Sequence, residues 1–95
     1  MYPHVGEAFI PVGRASYLSE RLYTKIAKFC QSASFEGSET FIEFEDGCVI
    51  IQSTIEGLSL LIFAVDFLTF NGIRTLVEGG LPKVVFRSVE SVEWL

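Results

Sequence analysis

The sequence predicts an α+β domain: two layers, a mainly antiparallel sheet with two helices on one face, in the order β-α-β-β-β-α-β with room for a last β. Two stretches carry apolar residues at spacings of three and four, the period of an amphipathic helix. Several runs of five to seven residues alternate or are apolar throughout, as strands do. Asp46-Gly47 stands between two of these runs and marks a tight hairpin. A strand meander beside two helices favours an antiparallel sheet with the helices gathered on one side.

The elements follow in order. Val5 to Val12 reads as a first strand. Pro11 cannot donate to a ladder, which suits an edge. Ser16 is the expected N-cap of a first helix, 16–31, with Leu18, Leu22, Ile26 and Phe29 as its apolar stripe. Arg21, Lys25 and Lys28 fall on one face of that helix, and the 32–34 stretch ends it. The segment 40–45 alternates, with Ile42 and Phe44 on one side and Phe41, Glu43 and Glu45 on the other. Asp46-Gly47 turns the chain into a return strand, 48–53, by a type I′ turn, which needs positive φ at both central residues. The third strand of the meander, 58–64, is apolar on both faces, as expected of a central strand. Asp66 caps a second helix with the stripe Phe70, Ile73 and Val77. Gly72 sits mid-helix, where glycine often marks close packing against a neighbour, and Gly79-Gly80 stops the helix. Segments 83–87 and 91–95 read as further strands, the last containing Trp94.

One domain accounts for all 95 residues, since no linker or low-complexity tract breaks them. Apolar residues make up 49% and mean hydropathy is +0.42, which is rich for so small a core. The surplus predicts a subunit interface and hence a homodimer, through a sheet face to which Phe41, Val49, Ile51, Leu61 and Phe63 contribute, or through a sheet edge. No run approaches the roughly 20 apolar residues of a membrane span, and the chain does not open like a signal peptide. The expected place is the cytoplasm, with no membrane partner. A net charge of -5, from 7 basic and 12 acidic residues, argues against nucleic acid, whose phosphates call for surplus Lys and Arg.

No residue pattern supplies catalysis, a metal site or a cofactor. His4 is the single histidine and has no orienting carboxylate near it in sequence. Cys30 and Cys48 lie in no CxxC pair, and with His4 they cannot complete a tetrahedral zinc set. Both read as small buried hydrophobes. The acids are segregated: between Phe29 and Ile73 there are seven and no Lys or Arg. Glu43, Glu45 and Asp46 therefore form one candidate interaction surface, and Arg21, Lys25 and Lys28 a basic counterpart on the first helix.

The pattern resembles a small bacterial family of unknown function whose members stand alone or beside siderophore-interacting, flavin-binding reductases. The resemblance rests on Ala15-Ser16-Tyr17-Leu18, on Ile42-Glu43-Phe44-Glu45-Asp46-Gly47 with Leu58-Ser59-Leu60, on Ala64-Val65-Asp66, and on Phe86-Arg87 with Val92-Glu93-Trp94. It implies the same fold and an association with iron or siderophore use. The family pattern places histidines where this chain has Lys25-Ile26-Ala27-Lys28 and Gly79-Gly80-Leu81. Two classes of function follow. One is a dimeric accessory or protein-binding module, with an acidic inhibitor of the immunity type as a variant. The other is a small-molecule binder or enzyme with a pocket at the sheet–helix or dimer seam, for which Tyr17, Tyr23 and Arg74 are the polar anchors.

Overall fold

The computed structural model describes residues 3–81. The elements are β1 (His4–Ile10), α1 (Ala15–Ile26) followed by a 3-10 turn (Ala27–Phe29), β2 (Ser32–Glu36), β3 (Glu39–Phe44), β4 (Gly47–Ser53), β5 (Leu58–Ala64) and α2 (Phe67–Gly80). The strands form one antiparallel sheet in the order β1-β5-β4-β3-β2, with both helices on one face. The two-layer α+β architecture is therefore as the sequence predicts. The expected strands at 83–87 and 91–95, with Trp94, lie outside the described residues. Among the described residues no helix is long and apolar enough to cross a membrane.

The period-2 alternation of the strands sets which residues the helices cover. Across the sheet, Gly6, Ile62, Val49, Ile42 and Ala33 stand in one row, and Ala8, Leu60, Ile51, Thr40 and Phe35 in the next. Above them α1 sets Ala15, Leu18, Leu22 and Ile26, and α2 sets Ile73 and Val77, all buried. Gly6 admits the ring of Phe70, which an added Cβ would strike. Gly80 likewise lets α2 close on Leu22 of α1.

Several expectations are corrected. The first helix starts at Ala15 with Arg14 at the cap, its carbonyl accepting from Leu18, so Ser16 lies inside the helix. It ends at Ile26; the residues read as its tail form the 3-10 turn, and the 32–34 stretch read as its end belongs to a strand, β2. Phe29 leaves the core stripe and is 57% exposed. The β3–β4 hairpin exists, but its loop is Glu45-Asp46, and Gly47 is the first residue of β4, paired with Phe44. No non-glycine residue among the described ones has positive φ, nor does Gly47, so this is not a type I′ turn. The positive-φ hairpin glycine is Gly37, at φ 62°, in the loop Gly37-Ser38 between β2 and β3. Glycine followed by a residue of ordinary φ fits the type II′ pattern. Val49 and Ile51 face the helices, and β4 instead gives Cys48 and Ile50 to the other face. Gly72 has open space where its Cβ would lie, so close packing is not its role.

Candidate functional site

The side of the sheet away from the helices is laid out by the strand register in three rows. Val5, Phe63, Cys48, Glu43 and Ser32 form the first. Glu7, Leu61, Ile50, Phe41 and Ser34 form the second, and Phe9, Ser59, Gln52, Glu39 and Glu36 the third. No element among the described residues packs on these rows. Phe41, Ile50, Leu61 and Phe63 form a contiguous apolar centre, extended by Cys48, Val5 and Phe9. Val5 and Phe9 are about half exposed, at 51% and 49%. Carboxylates flank this centre, Glu7 on β1 and Glu36, Glu39 and Glu43 on β2 and β3. No Lys, Arg or His stands in any of the three rows. A half-buried apolar sheet face bordered by charge of one sign has the make-up of a docking surface.

The acidic residues singled out in the sequence are partly gathered here. Glu43 belongs to the open face, whereas Glu45 and Asp46 form the hairpin loop at its border and do not share the strand face with Glu43. The strand ends at Phe44, so alternation no longer governs Glu45. Cys48 stands opposite Glu43 in the ladder. Burial, and then the Glu43 carboxylate, push its thiol above the usual range. Cys48 is thus a poor nucleophile at neutral pH. Both cysteines are free thiols, and Cys30, packed against the core, donates its S–H to the Ala27 carbonyl at 2.9 Å.

The basic residues lie on the helical side, away from the acidic rows. Arg21 donates to the Tyr17 hydroxyl at 2.9 Å, with its guanidinium 5.6 Å from that ring. Lys25 and Lys28 border a groove of about 670 Å³ between the end of α1 and α2, together with Phe29, Leu68 and Asn71. Asn71 Oδ1 is buried with no hydrogen-bond partner among the described residues. The three predicted anchors do not converge. Arg74 pairs with Glu78 at 3.6 Å on the surface of α2, and Tyr17 is exposed on α1. Tyr23 packs edge-on against Phe35, centroids 4.9 Å apart, beside a second cleft of about 420 Å³. His4 opens β1 with its ring 6.1 Å from that of Phe67. Among the described residues no three His, Cys, Asp or Glu side chains gather as a metal site.

Sequence reasoning missed β2 and the second cleft. Gly37-Ser38 between two short runs carries a hairpin signal that marks β2. The cleft left no such mark, because its residues come from α1, β2, β3 and β4. No known family, curated protein or solved structure matches this chain, so the resemblance read from the sequence remains an expectation.

Proposed function

We propose that this chain is a small protein-binding module without catalytic machinery, and that it docks through the sheet face turned away from its helices. The half-buried apolar centre, Phe41, Ile50 and Leu61, within carboxylates and with no basic residue in its rows, carries this reading. Strand spacing of about 4.8 Å and rise of about 3.4 Å give this face a footprint of roughly 500 Å². A standard interface buries about 800 Å² per side. The footprint suits a transient partner, or one that also grips an edge strand.

Charge selects between occupants. Each copy brings four carboxylates, Glu7, Glu36, Glu39 and Glu43, so two copies face to face bring eight and no cation. The basic residues Arg21 and Lys25 sit on α1, on the opposite layer. A closed two-fold dimer mates a face with itself and cannot match these two layers, and head-to-tail stacking of unlike faces would not close. The reading is therefore a different protein, with an apolar patch bordered by Lys and Arg. This favours the acidic inhibitor or docking variant over the expected homodimer.

Light scattering over a concentration series, at low and at high salt, is the first test. The expected result is a monomer at low salt. A purified partner should bind with affinity that falls as salt rises. Leu61→Asp should cost about 2 kcal/mol or more of that affinity, and Arg21→Ala almost none. A tight low-salt dimer that Leu61→Asp dissociates would overturn the choice of occupant. A partner indifferent to Leu61→Asp would overturn the choice of surface.

A further inference from the structure

Among the described residues one buried side-chain oxygen has no hydrogen-bond partner, Oδ1 of Asn71 on α2. An acceptor shut away from water without a donor costs about 1–3 kcal/mol, and leucine at this position would avoid that cost. Asn71 lines the groove of about 670 Å³ between the end of α1 and α2. Ile26, Phe29, Leu68 and Leu76 give this groove its apolar walls. Phe29 and Leu68 are 57% and 83% exposed, so those walls stand in solvent. Nothing lies within 4 Å of the Cβ position at Gly72 or Gly79, which leaves that stretch of α2 free. The outer side of a helix normally carries charge. The residues that α2 turns to the groove, from Leu68 to Gly79, carry none. The charge sits on the other wall: Lys25 and Lys28 line the groove, and no described Asp or Glu does. Lys28 Nζ lies 5.6 Å from the centre of the Phe29 ring.

We infer that this groove docks an amphipathic helix of another protein, with a stripe of small apolar side chains flanked by Asp or Glu. From Leu68 to Gly79 α2 rises about 16 Å, the length of three turns of such a helix. A helix laid along it puts an uncharged face against an uncharged face, and its acids reach the two ammonium groups at the rim. A donor on that helix gives Asn71 its missing partner, through a change of χ1 rotamer as the groove closes. A small molecule is a poorer occupant, because a trough with exposed walls cannot enclose most of its surface. A second copy is poorer as well. The helices α1 and α2 carry one acid each, Glu20 and Glu78, and the other described acids lie on strands and loops. The groove is separate from the sheet face turned away from the helices and does not depend on the docking reading of that face.

The probe is a capped helical peptide of about 14 residues, with Ala and Leu on one face, Glu on both flanks and one central Gln. Its binding to the full chain is read by fluorescence anisotropy. Saturable binding that weakens as salt rises is expected. The same peptide with Lys in place of Glu should not bind. Reversing the charge of the chain, Lys25→Glu with Lys28→Glu, should exchange the two preferences. Gly72→Leu puts a good helix former into open space, so it should melt no lower than wild type. By filling the groove it should still weaken the Glu peptide about tenfold or more. Asn71→Leu should also melt no lower than wild type and weaken the peptide about fivefold. Leu61→Asp, on the sheet face away from the helices, should leave peptide binding unchanged. Absence of saturable binding, equal binding of the Lys peptide, or full affinity in Gly72→Leu would overturn the groove as the site. Asn71→Leu melting below wild type would overturn the part given to its amide.

Discussion

Adding one methyl group at Gly47 or at Gly72 should move stability in opposite directions. Neither glycine has positive φ, so alanine can adopt either backbone conformation without strain. With nothing else changed, alanine stabilises by about 0.4–1 kcal/mol, because the unfolded chain loses freedom. At Gly72, in the middle of α2, an added Cβ meets nothing within 4 Å, so the full helix-propensity gain of about 1 kcal/mol is expected. At Gly47 the Cβ would lie 2.5 Å from the Phe63 carbonyl oxygen, 2.8 Å from Ile73 Cδ1 and 3.3 Å from Ala64 Cα. The Ile73 methyl can swing aside. The Phe63 oxygen is backbone, in a strand laddered to β4 on one side and β1 on the other, and cannot move alone. Relief requires β4 and β5 to separate locally by roughly an ångström, and overpacking of this kind costs about 1–3 kcal/mol. A domain of this size shifts its melting temperature by about 4–8 °C per kcal/mol. Gly72→Ala should therefore melt several degrees above wild type and Gly47→Ala several degrees or more below it, with the same order in urea midpoints. A Gly47→Ala protein as stable as wild type would refute the β4–β5 register or the seating of Ile73 upon it.

Three further outcomes follow from local chemistry. Asp66 Oδ1 accepts from the Thr69 amide at 2.7 Å, and this bond, then the Thr69 hydroxyl and more weakly His4, holds the carboxyl below its usual range. Its support for α2 is thus present above the unfolded-state pKa, about 3.9, and lost as pH falls through the lower folded value. Asp66→Ala should melt below wild type at pH 7, with the gap narrowing in acid; a gap independent of pH would contradict the cap. In a Cys30→Ser background, Cys48 should react with a disulfide reagent at pH 8 more slowly than in denaturant. Glu43→Gln should speed that reaction by removing the facing charge, and an unchanged rate would show that the carboxylate does not reach the thiol. Leu22→Ala empties a fully buried position between α1, α2 and the sheet and should cost about 2–5 kcal/mol by urea titration. A smaller loss would mean that the helix–helix seam can collapse around the cavity.

Much of the architecture is local and was legible. The period-3.6 stripes located both helices, because burying one face demands that spacing. Asp66 was recognisable as a cap, since its side chain serves an amide three residues on. Strand β5 was legible as apolar on both faces. That it lies between β1 and β4, with Leu61 and Phe63 on the side away from the helices, was not, because strand order depends on distant pairing. Strand β2 escaped for a related reason: Ser32, Ser34 and Glu36 are polar, and its edge place comes from β3. The candidate surface was half legible. Glu43 was found by its charge, but its neighbours Ile50 and Cys48 were not, because a one-residue difference in register exchanges the two faces of a strand. Gly47 shows the same division. Its place beside Asp46 marked a hairpin, while its role, admitting the Phe63 carbonyl and Ile73, is a contact across strands and layers.

Composition and periodicity by themselves determined an acidic, apolar-rich α+β chain with two helices. Tertiary structure alone decided which apolar residues face away from the helices, and that Glu7, Glu36, Glu39 and Glu43 lie on the sheet face opposite Arg21 and Lys25. The physical reason is that helix and turn signals act over a few residues of chain. Faces, rows and cavities are made by residues tens of positions apart, brought together when the sheet pairs and the helices close on it.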